Sequence, residues 1–425
     1  MVNARAGRSM SPVFLLTALL AACGGSTGAG PNVPAPTPAT SASSFPNRTA
    51  SAAPVPAASP GPTASSSPAA SPGAAGSPAP AASASAAASP SPVAPAGIVK
   101  LARYAIDPAK IFVAGISSGG FAAVQMHVAH SSIFRGAAVY AGGVFYCATG
   151  SVSTALANCG GETLPNDTAS YNSTLTVSEA YLDRQSASGT IDPSSNLKGQ
   201  PVYLWSGTRD AVVNPLEMAD LDAEYGHYGA NLHFDSTFAA EHGWESPDGE
   251  LPCGTLGSPY MISCAQNGVT YDSVKTWLTM FFGALQPRNG GALAGTLAAF
   301  DQTEFGANAN VSMDTSGYVY VPKTCALGAT CGFVLALHGC LQERSLVGSK
   351  WVTEAGIDEW ADTNGIVVVY PDTIASPAGS GSVVNPNACF DWWGYSNGTD
   401  PNYALKSGLQ MTVLYKMVQR VTGAP

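Results

Sequence analysis

Charge is scarce in this 425-residue chain: Asp, Glu, Lys and Arg together make up 11% of it. The 18 Lys and Arg are outnumbered by 28 Asp and Glu, the formal net charge is -10, and no basic stretch marks a nucleic-acid footprint. The same acidic balance gives no attraction to anionic lipid headgroups. After residue 23 there is no run of about 18 apolar residues, so no membrane-spanning helix is expected. Cys-x-x-Cys pairs are absent and none of the 6 histidines stands at ligand spacing, which argues against zinc. Tryptophan is missing from the first 96 residues, because all 7 lie between Trp205 and Trp393.

That asymmetry divides the chain. Arg5 and Arg8 precede an apolar run from Val13 to Ala22, the layout of a signal peptide. The run ends in Leu20-Ala21-Ala22-Cys23, which resembles the bacterial lipobox, where the cysteine is diacylated and becomes the first mature residue. Residues 1–23 are expected to be a lipoprotein signal peptide with Cys23 as the lipidation site, since two or more acyl chains hold far better than one. The protein is then exported, either lipid-anchored to the bacterial cell envelope (outer membrane or cell surface) or secreted. Residues 24–96 cycle through Ala, Ser, Pro, Gly and Thr and cannot bury enough surface to offset their ordering entropy. They read as a disordered linker, with a reach on the order of 50 Å as a coil and about 200 Å extended. Residues 97–425 can bury the core of one large domain.

With Cys23 assigned to lipid, Cys147, Cys159, Cys253, Cys264, Cys325, Cys331, Cys340 and Cys389 remain. An even number in an exported chain argues for disulfides, and about a hundred connectivities are open. Pairing of neighbours would give Cys147–Cys159, Cys253–Cys264 and Cys325–Cys331, leaving Cys340–Cys389 as the long-range bridge.

Ile111-Phe-Val-Ala-Gly115 reads as a buried strand that leads straight into Gly115-Ile116-Ser117-Ser118-Gly119-Gly120, and Phe121–Ala129 suits a helix. Strand, Gly-x-Ser-x-Gly, helix is the setting of a nucleophile elbow, with glycines where a Cβ would block the tight turn. Ser117 would be exposed at the strand end, and the Ser118 amide would face a developing oxyanion. A serine hydroxyl needs a base and the base an orienting acid, each following a later strand. Pro201–Ser206 precedes Gly207-Thr208-Arg209-Asp210, and Leu232–Phe238 precedes Ala239-Ala240-Glu241-His242-Gly243, so Asp210 and His242 hold those positions. The other candidates have blander readings: His127 and His130 on the helix after the elbow, His227 in a Tyr/Gly-rich connection, His233 and Asp235 within a strand, Asp220 and Asp222 as solvated helix charges.

The second oxyanion amide ordinarily comes from a His-Gly loop upstream of the nucleophile. Here Phe333-Val-Leu-Ala-Leu-His338-Gly339-Cys340 has that form but lies far downstream, between the strand-like runs Gly317–Pro322 and Gly365–Pro371, and Leu409–Val421 reads as an amphipathic helix. Moving residues from about 290 to 425 ahead of Leu101 restores the usual order. The expected fold is therefore α/β, a circularly permuted α/β-hydrolase with a single catalytic domain, feasible when the natural termini lie close together.

Ser117-Ser118-Gly119-Gly120, Gly207-Thr208-Arg209-Asp210, His338-Gly339-Cys340-Leu341-Gln342 and Cys389-Phe390-Asp391-Trp392 together resemble the circularly permuted extracellular poly(3-hydroxybutyrate) depolymerases, from about Tyr104 to the C-terminus. The resemblance implies Ser117 as nucleophile, Asp210 as orienting acid and His242 as general base. It also implies an oxyanion hole from the amides of Ser118 and Cys340, and contact of Trp392 with a polymer ester carbonyl. The family's disulfides resemble the neighbour pairs above, including Cys340–Cys389. Phe390 stands where a tryptophan is common, and Trp393-Gly394-Tyr395 departs from the usual continuation. Many relatives carry a separate substrate-binding domain, for which no residues are left here, so adhesion to crystalline polymer is expected to come from the catalytic face itself or to be weak.

The expected function is hydrolysis of poly(3-hydroxybutyrate) or its oligomers through an acyl-enzyme, by a serine esterase acting as a monomer on a polyester, with no nucleic-acid partner, no metal and no organic cofactor. The same triad would serve a carbohydrate esterase removing acetyl or feruloyl groups. An inactive surface-binding lipoprotein on this scaffold is the alternative of another class, since fold alone does not settle function.

Overall fold

Six buried residues in a row, Ile111–Ile116, form the core of strand β1 (Ile106–Ile116). Their side chains divide by parity: Ile111 and Val113 join one apolar cluster, Phe112, Ala114 and Ile116 the other. Strands covered on both faces read as continuous apolar runs for this reason. The structure, a computed structural model, describes residues 97–160, 168–376 and 384–425. The expected signal peptide, Cys23 and the linker through residue 96 lie outside the described residues.

In chain order β1 is followed by β2 (Ala137–Tyr140), β3 (Pro201–Trp205), β4 (Asn231–Asp235), β5 (Thr296–Asp301), β6 (Ser316–Val321), β7 (Cys331–Leu337) and β8 (Ile366–Tyr370). They form one eight-stranded sheet in the order β5-β6-β8-β7-β1-β2-β3-β4. The pairs β5–β6 and β6–β8 are antiparallel, the other five parallel. Parallel neighbours need crossovers, supplied here by helices α1 (Ser118–Ala129), α2 (Thr168–Ser188), α3 (Pro215–His227) and α5 (Ile357–Asn364), while α4 (Ser273–Phe282) and α6 (Leu409–Thr422) follow later strands. Residues of α1, α3 and α6 pack with Ile111, Val113, Phe333, Leu335 and Leu337 on one face. On the other, Val274, Trp277 and Phe281 of α4 and Ile357 and Trp360 of α5 cover Phe112, Val334 and Val368.

Counted from β5 to β8 and then from β1 to β4, the strands lie across the sheet as first, second, fourth, third, fifth, sixth, seventh, eighth. The two chain segments thus share one sheet, with β7 and β1 paired from Ile106↔Cys331 to Gly115↔Leu337. The end of α6 meets the start of the domain: Tyr104 N donates to Val421 O at 3.0 Å, and Arg420 reaches the Leu101 carbonyl.

All four neighbour-paired disulfides are present, Cys147–Cys159, Cys253–Cys264, Cys325–Cys331 and Cys340–Cys389. Two local expectations are corrected. The strand begun at Leu232 ends at Asp235, short of Phe238, because it is the edge strand and the chain leaves the sheet after its last β3 pairing. His227 stands in the last turn of α3 and not in a connection, since the helical hydrogen bonds run on to Tyr228 N, which donates to Glu224 O at 3.3 Å.

Candidate active site

β1 and β7 run parallel and end together, so the turns that follow them share one edge of the sheet. At the end of β1, Ser117 has φ 55° and ψ -123°, a conformation costly for a residue with a Cβ. It is held by Ser117 N donating to Tyr140 O at 2.9 Å and by Phe121 N donating to Ser117 O at 2.9 Å. The flanking glycines are sterically required. A Cβ on Gly115 would lie 2.1 Å from the Gly119 carbonyl oxygen, and one on Gly119 would lie 2.3 Å from that of His338. The start of α1 therefore lies directly against the loop after β7.

That loop is pinned on several sides. Gly339 N donates to Gln342 Oε1 at 2.6 Å, and His338 Nδ1 bonds the Gly339 carbonyl at 2.6 Å. Nδ1 is the donor of that bond, since a carbonyl only accepts, while Nε2 lies 3.3 Å from both Thr373 N and Asp372 Oδ1. A Cβ on Gly339 would come within 3.1 Å of Ser117 Cβ, which places the loop beside the serine. Cys340 is bonded to Cys389, and Leu341 N donates to Asn387 O at 2.8 Å, tying the loop to the segment that carries Trp392.

Asp391 shapes that segment. Its Oδ1 accepts from Gly394 N and Tyr395 N at 2.7 and 3.0 Å, its Oδ2 from Ser396 N at 2.9 Å. Complete burial nevertheless pushes its carboxyl above the usual range. Gln125 of α1 donates to the Asp391 carbonyl at 3.0 Å, and Phe390 N donates to Ser118 Oγ at 3.2 Å. Trp392 is half-buried and stacks on Phe121 with ring centres 4.4 Å apart. Its Nε1 is covered and has no hydrogen-bond partner among the described residues. Trp393 is a core residue packed on Tyr395.

Asp210 follows β3 and His242 follows β4. The two loops are laced by Thr208 N to Phe238 O at 2.8 Å and Arg209 N to Ala240 O at 3.0 Å, and a Cβ on Gly207 would meet Ala240 O at 2.2 Å. This lacing sets Asp210 Oδ2 at 2.9 Å from His242 Nδ1, with both side chains withdrawn from solvent. Asp210 Oδ1 also accepts from Val212 N and Val213 N at 2.9 and 2.8 Å. With Nδ1 committed to the carboxylate, Nε2 is left as the nitrogen available for proton transfer.

The other histidines are accounted for elsewhere. His127 is buried between Tyr225 Oη at 2.8 Å and Gln200 Oε1 at 2.6 Å, and burial lowers it to about 4. His130 stacks on Tyr415 and is likewise lowered to about 4. His227 and His233 are exposed. Asp235, at the end of β4, accepts from Tyr203 and Tyr271 hydroxyls. Asp220 corrects its expectation: it is buried on α3 with Glu217 and Glu224, and desolvation raises it to about 6, whereas Asp222 keeps partial exposure. Helical spacing is the signal that was available: Glu217, Asp220 and Glu224 fall on one face with Leu221. Among the described residues no group of three or more His, Cys, Asp or Glu has metal-binding geometry. Likewise, among these residues, no helix is long and apolar enough to cross a membrane.

No family model matches the chain. Over 330 residues it is 39% identical to the poly(3-hydroxybutyrate) depolymerase of Delftia acidovorans, covering 76% of this chain and 62% of that protein, less than two thirds of its length. Over 336 residues it is 34% identical to the polyhydroxybutyrate depolymerase of Talaromyces funiculosus, covering 76% of this chain and 92% of the relative. Two solved structures match with TM-score 0.66, each covering 76% of this chain and 99% of its own. One is a PHB depolymerase with a serine-to-alanine substitution, complexed with an R3HB trimer (31% identity); the other is the PHB depolymerase from Penicillium funiculosum (32%).

Proposed function

The chain belongs to the poly(3-hydroxybutyrate) depolymerase family, and from that we propose that it is a serine esterase cleaving poly(3-hydroxybutyrate) or its oligomers through an acyl-enzyme. The observation that carries this is the buried Asp210–His242 pair at 2.9 Å, on loops following β3 and β4, together with the strained Ser117 at the end of β1 in the same sheet. Ser117 Oγ attacks the ester carbonyl while His242 Nε2 takes its proton and Asp210 stabilises the imidazolium. The amides of Ser118 and Cys340 receive the oxyanion, and His242 returns the proton to the departing 3-hydroxyl oxygen. Water, deprotonated by His242, then attacks the acyl-enzyme and frees Ser117.

Trp392 is the proposed contact for the chain. Its part-exposed ring, stacked on Phe121 beside the segment bonded to Cys340, supports this. The strand order supports a circular permutation, with residues 97–425 as the catalytic domain. Four disulfides fit an exported protein. The Leu20–Cys23 tetrad and the residues after it support a lipid anchor and a linker at 24–96.

The test is clearing of a poly(3-hydroxybutyrate) suspension by the disulfide-formed protein, beside Ser117→Ala and p-nitrophenyl butyrate. Clearing that falls by roughly three orders of magnitude or more in the variant is expected. Hydrolysis of the soluble ester without clearing would move the substrate to oligomers or another ester. Absence of both activities in folded protein would defeat the proposal.

A further inference from the structure

Gln342 is buried and is bonded at both ends of its amide by groups from different parts of the fold. Its Oε1 accepts from Gly339 N at 2.6 Å. Its Nε2 donates to the Pro259 carbonyl at 2.8 Å and reaches that of Tyr260 at 3.4 Å. Pro259 and Tyr260 belong to the base's side of the site: Tyr260 O accepts from Trp244 N at 2.8 Å, Met261 pairs with Trp244, and the Tyr260 ring stands edge-on to His242 with centres 6.3 Å apart. Joining a peptide N–H to a peptide carbonyl takes a side chain that both accepts and donates, and the Gln amide does so from two separate atoms without titrating.

The bonds on the two sides of Gly339 together determine which amide of the loop is left free to donate. In a trans peptide the N–H and C=O point in opposite directions. Gln342 holds the peptide before Gly339 by its N–H, and His338 Nδ1 holds the peptide after it by its carbonyl, at 2.6 Å. With the Gly339 carbonyl turned toward His338, the N–H of Cys340 in that same peptide points the other way. Gly339 N is spent on Gln342, so Cys340 N is the amide of this pair left free to donate.

We propose that Gln342 is a positioning residue for ester hydrolysis, which orients the Cys340 oxyanion donor and ties its loop to the segment packed against His242. It touches no reacting atom and acts through two backbone peptides. The inference rests on the Ser117/His242 assignment above.

Two substitutions test it in the full-length, disulfide-formed protein, with turnover of p-nitrophenyl butyrate expressed per site titrated by a fluorophosphonate. Gln342→Met keeps the length and removes both bonds. Its kcat should fall about 10- to 100-fold, somewhat less than the loss of a whole oxyanion donor, with KM within about twofold. Gln342→Glu keeps an acceptor for Gly339 N but, when ionised, sets a carboxylate oxygen against two carbonyls. Its protonated form reproduces the donor–acceptor pattern, so its kcat relative to wild type at each pH should rise as pH falls. The Gln342→Met ratio should stay flat. A merely structural role would lower the titratable fraction or Tm and leave kcat per site and this pH dependence unmoved. Wild-type kcat per titrated site in Gln342→Met, or a loss confined to KM, would overturn the proposal. If Gln342→Met yields no folded protein, the Gln342→Glu profile decides, and a flat ratio refutes it. Retained turnover in Ser117→Ala would instead sink the catalytic assignment, so the two failures are distinguishable.

Discussion

Two of the four disulfides differ enough in loop length to rank. Cys340–Cys389 closes a sequence separation of 49 residues and Cys325–Cys331 one of 6. In the chain-entropy treatment the longer bridge is worth about 4 kcal/mol and the shorter about 2.2 kcal/mol. Their difference, set by the logarithm of the ratio of loop lengths, is about 1.9 kcal/mol. At about 2.1 cal/mol/K of unfolding entropy per residue over residues 97–425, that corresponds to a Tm gap of about 3 °C. The bridges also differ in place. Cys331 opens β7 and His338 follows its end, so the short bridge lies about 20 Å from the loop after β7 at roughly 3.3 Å per residue. The long bridge joins that loop directly to the Trp392 segment. The double variants Cys340→Ser/Cys389→Ser and Cys325→Ser/Cys331→Ser avoid stray thiols and keep every backbone amide. Calorimetry should show the larger Tm loss in the first. Soluble-ester kinetics should show reduced kcat in the first alone. Equal Tm losses, a larger loss in the short-loop variant, or a kcat defect confined to the short-loop variant would refute this account.

Asp210→Asn should keep the fold, since an amide oxygen can still accept from Val212 and Val213 N–H. It loses the charge and the control of the His242 tautomer, so kcat should drop by about 10⁴ with KM little changed, and activity within tenfold of wild type would contradict the role given to Asp210. Stability should fall as pH rises. Burial raises Asp220 to about 6 and Glu224 and Glu245 to about 8, so in the folded chain each stays protonated up to its raised value but ionises near 4 when unfolded. Between those values the unfolded chain binds fewer protons; the stability they contribute is full below about pH 4 and is lost progressively as pH rises through the folded values. Urea midpoints should therefore decline from pH 5 to pH 9, less steeply in Glu224→Gln, and a flat or rising profile would show that these groups are not held neutral.

Elements with a strong local pattern are legible in the sequence, though their ends are not: the strand from Leu232 stops at Asp235 and the helix from Pro215 runs on to His227. The apolar run Ile111–Gly115, the glycines around Ser117 and the amphipathic Leu409–Val421 each announce an element because their pattern spans the element itself. β2 escaped notice because its four residues, Ala137–Tyr140, are too few to display a period, and β5 because Thr296–Asp301 begins half-exposed. Asp220 shares a helical face with Leu221, but its charge alone reads as solvated; the sequence does not show that the 143–147 loop covers that face, with Val144 and Phe145 N–H groups bonded to Glu217 and Glu224. Gln342 was visible as part of a motif, but its role was not.

By itself the sequence determined the strand–turn–helix at Ser117, the order of Asp210 and His242 after it, the cysteines available for pairing and the two chain segments that had to meet. Tertiary structure alone decided that β7 lies beside β1, that the Gly207 and Ala240 backbones lie close enough to hold Asp210 on His242, and that Gln342 reaches Pro259. The physical reason is one of range. Backbone propensity and burial periodicity act over a few residues and are written into the local pattern. A hydrogen bond between groups 83 residues apart exists only after packing has fixed both ends.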